Sequence, residues 1–176
     1  MRRLLLLRHA KTEIDAPSGR DQDRRLDDRG QRDSAQLGDW IAAHPPFPEA
    51  VLVSHAVRAR QTWDIAWEAM KDRVAAPQVE ILSELYGADP AQILETIRTA
   101  TVLADPKQLL LVGHNPGMHE VALMLMGGGD PAGAKALADN LPTAGLAIFD
   151  FDVKDWDDVA YRRGKLVQFV SPKLLR

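Results

Sequence analysis

The stretch from Leu4 to Lys11 constrains this chain more than any other: four consecutive leucines run straight into Arg8 and His9. An apolar run this short, bounded by charge, fits one buried strand and nothing longer. In an open α/β sheet the carboxyl ends of the strands form the ligand crevice, so Arg8 and His9 are expected on its floor.

The pattern then repeats. A polar loop, Thr12 to Arg25, leads to Asp27, a suitable N-cap for a helix that carries Leu37, Trp40 and Ile41 on one face and ends before Pro45 and Pro46. Ala50 to Ser54 is a second strand. It feeds a helix with Thr62, Ile65, Ala66, Ala69 and Met70 at helical spacing. Val79 to Leu82 reads as a third strand, and Pro90 opens a helix whose buried face holds Ile93, Leu94, Ile97 and Thr101. Leu109 to Val112 is the fourth strand. Asn115 as N-cap and Pro116 at the first helical position start a helix to about Met126, which Gly127 to Gly129 terminate. A short helix near Ala132 to Ala138 and two strands, Leu146 to Phe151 and Leu166 to Val170, complete the chain. The two strands are expected to pair antiparallel, separated by a charged excursion around Trp156 and Tyr161. This alternation predicts a three-layer α/β fold, a mostly parallel central sheet with helices on both faces.

With 176 residues, 45% of them hydrophobic, the chain fits a single domain spanning 1–176. A net charge of -3 argues against nucleic acid as a partner, since such proteins carry a basic excess to neutralise phosphates. Any cationic site must be local. The sequence has no cysteine, which excludes disulfides, thiolate catalysis and thiolate zinc sites. The leucine run is shorter than the roughly 7 to 15 apolar residues of a signal peptide core. No run approaches the roughly 20 of a membrane span. A cytoplasmic protein without a membrane partner is expected.

Three strand ends concentrate the chemistry. The first supplies Arg8 and His9, the second runs through Ser54 and His55 to Arg58 in the first turn of a helix, and the last supplies His114. Two arginines and two histidines are the side-chain set that phosphoryl transfer without a metal requires. Planar guanidinium forks match the equatorial oxygens of a phosphoryl group, and helix N-termini add oriented N–H groups. One histidine must attack phosphorus as the neutral imidazole while the other donates a hydrogen bond. The residues by themselves leave open which is which.

The Arg8-His9 strand end, the run Arg58-Ala59-Arg60-Gln61-Thr62 and the turn Gly113-His114-Asn115-Pro116 resemble the histidine phosphatase superfamily, which includes the phosphoglycerate mutases. More narrowly, Arg-His-Ala-Lys, the segment Arg25-Leu26-Asp27-Asp28-Arg29-Gly30, His-Asn-Pro and the closing Ser171-Pro172-Lys173 are similar to the small SixA-type phosphohistidine phosphatases. The resemblance implies a phosphoglycerate mutase-like fold and a covalent phosphohistidine on His9. Arg8, Arg58 and His114 would hold the phosphoryl oxygens, and water would then attack. It implies no cofactor and no metal. Glu84, in Leu82-Ser83-Glu84-Leu85-Tyr86-Gly87, resembles the element that carries the general acid in the mutase-like branch. Two positions depart from the superfamily pattern: Ala10 stands where a glycine usually follows the nucleophile, and His55 where a proline often follows the serine.

Other residues have plainer readings. Lys11 is a candidate phosphate contact and equally a solvated side chain, and Arg24 and Arg25 have the same status. His44 reads as a surface residue. His114 and His119, five apart, make a poor metal pair, and there is no His-Glu-x-x-His. Trp40, Trp63, Trp67 and Trp156 read as packing residues. The expected function is a metal-independent phosphatase acting on phosphohistidine in a protein such as a histidine phosphotransfer domain. The alternatives are a phosphatase of small phosphomonoesters or phosphoramidates and a non-catalytic phosphoprotein-binding module. The sequence does not determine the oligomeric state.

Overall fold

A computed structural model describes the backbone of residues 1–176 and every side chain except those of Thr101 and Val102. Seven strands form one sheet: β1 (Arg2–Arg8), β2 (Ala50–Ser54), β3 (Gln78–Leu82), β4 (Gln108–Gly113), β5 (Met126–Gly129), β6 (Leu146–Phe151) and β7 (Gly164–Val170). Their spatial order is β3-β2-β4-β1-β6-β7-β5. The pairs β1–β4, β2–β4, β2–β3 and β5–β7 are parallel, whereas β6 runs antiparallel to both β1 and β7. The antiparallel pairing expected for the last two long strands is therefore present.

The helices are α1 (Asp28–Ala42), α2 (Val57–Met70), α3 (Pro90–Arg98), α4 (Gly117–Leu125), α5 (Pro131–Asp139) and the short α6 (Pro172–Leu175). Alternation along the leucine run decides how they distribute. Leu4 and Leu6 face a core that contains Ile93 and Ile97 of α3, Val121 of α4 and Leu137 of α5. Leu5 and Leu7 face the opposite core, with Leu37 and Ile41 of α1 and Trp63 of α2. All four leucines are buried, and each such burial contributes roughly 1.5–3 kcal/mol. A strand with both faces covered has no polar side, which is why Leu4 to Leu7 read as an unbroken apolar run.

Local signals start the helices. The Asp27 carboxylate accepts from Gly30 N at 2.7 Å and caps α1. Asp89 and Gln92 form a reciprocal capping box at α3, and α3 closes at Arg98. Thr101, expected on the buried face of that helix, lies outside the described side chains. At α4 the expectation shifts by one residue. The helix begins at Gly117, with Pro116 at the cap position, while the Asn115 side chain still accepts from His119 N through Oδ1 at 3.2 Å and donates through Nδ2 to the Leu141 carbonyl at 2.8 Å.

Gly127 to Gly129, expected only to stop a helix, instead belong to β5, where Gly128 and Gly129 pair with β7 and Gly127 lies at a shift in register. Glycine is a poor strand former, but side chains do not fit at the first and last of these positions. A Cβ at Gly127 would run into the Arg162 carbonyl, and one at Gly129 into the backbone of Leu166. No helix among the described residues is long and apolar enough to cross a membrane. Trp63 and Trp156 are buried, Trp156 donating its indole N–H to the Pro106 carbonyl at 2.6 Å. Trp40 stacks on His44, which is exposed at the end of α1.

The helices that flank the strand ends are packed to contact. Gly38 of α1 lies against α2 so closely that a Cβ there would overlap the Ala66 backbone. Gly38→Ala is expected to destabilise the fold by about 1–3 kcal/mol through overpacking. Urea denaturation checks this, and an unchanged midpoint would show that α1 and α2 separate freely.

Candidate active site

Because β1, β4 and β2 are parallel neighbours, their carboxyl ends open on the same edge. The β1–β4 register pairs Arg8 with Gly113, and the ladder continues one step further with His9 N donating to the Gly113 carbonyl at 3.1 Å. His9 and His114 thus meet, their ring centroids 5.2 Å apart. Arg58 enters from the first turn of α2, two residues after the connection from β2. The structure brings together Arg8, His9, Arg58 and His114, as the strand ends predicted.

Hydrogen bonds fix the tautomer of each ring. His9 Nδ1 lies 2.8 Å from the Ala10 carbonyl. A carbonyl only accepts, so Nδ1 carries the proton and Nε2 keeps its lone pair. Nε2 has no hydrogen-bond partner among the described residues. Ala10 N in turn donates to Thr62 Oγ1 at 3.0 Å, and that hydroxyl donates to the Arg58 carbonyl at 2.7 Å. The peptide that orients His9 is therefore tied to the helix that carries Arg58.

His114 is held the opposite way round. Ser54, fully buried, accepts from Ala56 N at 3.3 Å, and its Oγ lies 2.7 Å from His114 Nε2. The Ser54 hydroxyl has no other acceptor for its proton among the described residues, so we assign it as the donor to that ring nitrogen and place the His114 proton on Nδ1. Nδ1 is buried without a partner, as are Arg8 Nε and Arg58 Nε. Buried donors left unpaired are costly and mark where a ligand's acceptors belong.

Both rings stay uncharged. Burial above all pushes His9 down to about 3, with His114, Arg58 and Arg8 lowering it further while the Ala10 carbonyl partly offsets them. Burial, then the Arg58 charge, brings His114 to about 4, against the pull of Asp21. Burial and the neighbouring Arg58 charge also lower Arg8.

Several contacts had no clear signal in the sequence. Asp21, in the loop after β1, accepts from Arg58 and Arg24 and from the Tyr86 hydroxyl. Tyr86 stands edge-on to both His114 and His55, at 5.5 and 5.3 Å. The Leu141 carbonyl accepts from Arg8 at 3.2 Å. Arg24 also reaches Thr12 Oγ1 and ties the loop together. Glu84 is exposed and lines a surface pocket with Leu82, Gln92, Glu95, Thr96 and Thr99. It makes no polar contact with the histidines or arginines of the site; Tyr86, two residues on, is the residue of this turn that reaches them. Lys11 is exposed, and only its backbone is bound, accepting from Asp27 N at 3.1 Å. His119 is turned away, its Nε2 2.6 Å from the Leu137 carbonyl. Among the described residues no three His, Asp or Glu side chains gather as a metal site.

A covered α/β sheet of this order, with an anion-ready cluster at its strand ends, defines a protein of the phosphoglycerate mutase-like fold. The model of the histidine phosphatase superfamily (branch 1) matches residues 4–93. An uncharacterised Mycobacterium tuberculosis protein, Rv1276c, is 35% identical over 170 residues, covering 95% of this chain and all of that one. Among solved structures, a candidate phosphohistidine phosphatase SixA from Agrobacterium tumefaciens is 31% identical with a TM-score of 0.78, covering 97% of this chain and 98% of the other. A second such candidate, from Nakamurella multipartitia, is 28% identical with a TM-score of 0.81, covering 97% and 96%. The chain belongs to the histidine phosphatase superfamily, within which it is of the SixA type, and it is a phosphatase.

Unfolded histidines take up a proton near 6.5, whereas folded His9 and His114 do so only near 3 and 4. In between, the unfolded chain binds more protons, so the fold loses stability as pH falls from about 7 to about 4. The Cε1 proton shifts of both residues are expected to stay flat from pH 8 to pH 5 in NMR titrations. Inorganic phosphate should raise both pKa values by favouring the charged ring. Titration near pH 6.5 in the free protein would contradict the neutral pair.

Proposed function

We propose that residues 1–176 form a single histidine phosphatase domain that removes phosphoryl groups from phosphohistidine on a protein, through a covalent intermediate on His9 and without a metal. The observation that carries this reading is the pair of oppositely held neutral rings: His9 offers a lone pair at Nε2, while His114 offers a proton at Nδ1. Arg8 and Arg58 flank them with unpaired buried N–H groups.

In the first step His9 Nε2 attacks phosphorus and the bond from phosphorus to the leaving nitrogen breaks. Charge on the equatorial oxygens is met by Arg8, Arg58 and the His114 Nδ1–H, which need no reorganisation because they are already in position. Two guanidinium groups supply the positive charge that a metal supplies elsewhere. Water then attacks the phosphorus, the Nε2–P bond breaks, and inorganic phosphate leaves with His9 restored.

A protein substrate is supported by the form of the rim. β2 passes to α2 through residues 55–56 and β4 to α4 through residues 114–116. The longest connection, 9–27, is pinned by a bridge between Thr12 and Leu26. None of these segments is an inserted cap, so a phosphoryl group borne on another protein can approach. The likeness to the two SixA candidates supports the same substrate.

His9→Ala is expected to lower phosphate release from a phosphorylated histidine phosphotransfer domain by about a thousandfold or more. Arg58→Ala should lower it by about a hundredfold. EDTA should change neither the wild-type rate nor the ranking. Release by His9→Ala at the wild-type rate would refute the phosphoenzyme. Turnover confined to small phosphomonoesters would keep the chemistry and remove the protein substrate.

A further inference from the structure

Asp21 has no part in the steps above, yet it meets Arg58 twice. Its backbone carbonyl accepts from one terminal guanidinium nitrogen at 2.8 Å, and its Oδ2 accepts from the other at 3.0 Å. A guanidinium has an end edge, formed by the two terminal nitrogens, and a side edge, formed by Nε and one of them. Asp21 takes the end edge. The Nε–H of the side edge is buried and has no partner.

The carboxylate is itself held from two other sides. The Tyr86 hydroxyl donates to Oδ2 at 2.6 Å, and Arg24 Nε donates to Oδ1 at 2.9 Å. Tyr86 also places its ring 5.8 Å from the Arg58 guanidinium carbon and edge-on to His114. Asp21 thus joins the loop after β1, the helix that carries Arg58 and the turn after β3.

We propose that Asp21 is a positioning residue for Arg58: by engaging the end edge it turns the side edge toward the phosphoryl oxygens, and Tyr86 holds Asp21 in place. The inference rests on the reading of Arg58 as a phosphoryl ligand. The other reading of the same contact is a built-in competitor, a carboxylate seated where substrate should sit. The choice of edge argues against that, because a competitor would cover the Nε edge that Asp21 leaves free. Repulsion between Asp21 and an incoming phosphoryl group is also reduced, since three donors already share the carboxylate's charge. Those donors, Tyr86 first and then Arg58 and Arg24, hold its carboxyl down at about 2, so it stays ionised throughout the working range.

The test uses the full chain, a phosphorylated histidine phosphotransfer domain as substrate and tungstate as a phosphoryl mimic. Asp21→Ala should lower kcat/KM by about tenfold or more and weaken tungstate inhibition to a similar extent, the scale of losing one charged hydrogen bond. Asp21→Asn keeps an oxygen for the end edge and should recover most of the loss. Tyr86→Phe should show a smaller loss in the same two measurements. Added to Arg58→Ala, Asp21→Ala should cost nothing further. Wild-type kcat/KM and tungstate inhibition in Asp21→Ala would overturn the proposal, as would tighter inhibition, which is the mark of a competitor. An undiminished loss in the Arg58→Ala background would also overturn it, by showing that Asp21 acts elsewhere. Full turnover by Arg58→Ala alone would instead remove the phosphoryl role of Arg58.

Discussion

The hydrogen bond from His9 N to the Gly113 carbonyl is the contact on which the site depends. It extends the β1–β4 ladder one residue beyond the strands, where the chain would otherwise be free to diverge. With that step fixed, the residue after β1 and the residue after β4 are neighbours by register, and their rings need only rotamer choice to face each other. Arg58 follows from the same sheet, since β2 lies on the other side of β4 and α2 begins close to its end. Placing chemistry on strand ends makes its precision that of a covered, close-packed sheet.

That precision matters because the electrostatics are adverse. Two guanidinium groups share a half-buried space, and Arg8 is lowered in part by Arg58. A protonated imidazole among them would add a third charge, and the buried rings avoid this by remaining neutral. In a chain of net charge -3 the positive charge is a local feature. Asp21 engages the end edge of Arg58 and leaves its Nε–H unpaired.

Much of this was legible in the chain because strand, cap and turn signals are local. Leu4 to Leu7 marked a doubly covered strand, Asp27 marked the start of α1, and the order of Arg8, His9, Arg58 and His114 along the chain matched three adjoining strand ends. Other parts were not legible, each for a physical reason. The place of Gly127 and Gly129 in β5 depends on how closely Arg162 and Leu166 approach, which no propensity encodes. The bond from the Asn115 amide to the distant Leu141 carbonyl depends on tertiary approach, which the local cap signal does not encode. Asp21 sat in a loop crowded with Asp and Arg, and nothing near it in sequence distinguishes the carboxylate that reaches Arg58. The resemblance to the mutase-like branch points to Glu84 in the turn after β3, whereas packing directs the Tyr86 ring of that turn toward the histidines.

The position of Glu84 bears on which substrates suit the pocket. An alkoxide leaving group must be protonated as its bond to phosphorus breaks, and no carboxyl group makes contact with the histidines among the described residues. A phosphoimidazole differs. When its second ring nitrogen has taken up a proton from solvent, the leaving nitrogen takes the bonding pair and the imidazole departs neutral, with no acid from the enzyme. On the proposed chemistry the enzyme then has only the transferring group to stabilise, through Arg8, Arg58 and the His114 Nδ1–H. On that proposal, selectivity for phosphorus–nitrogen over phosphorus–oxygen cleavage would be set at the leaving group, independent of any contact with the partner protein's surface.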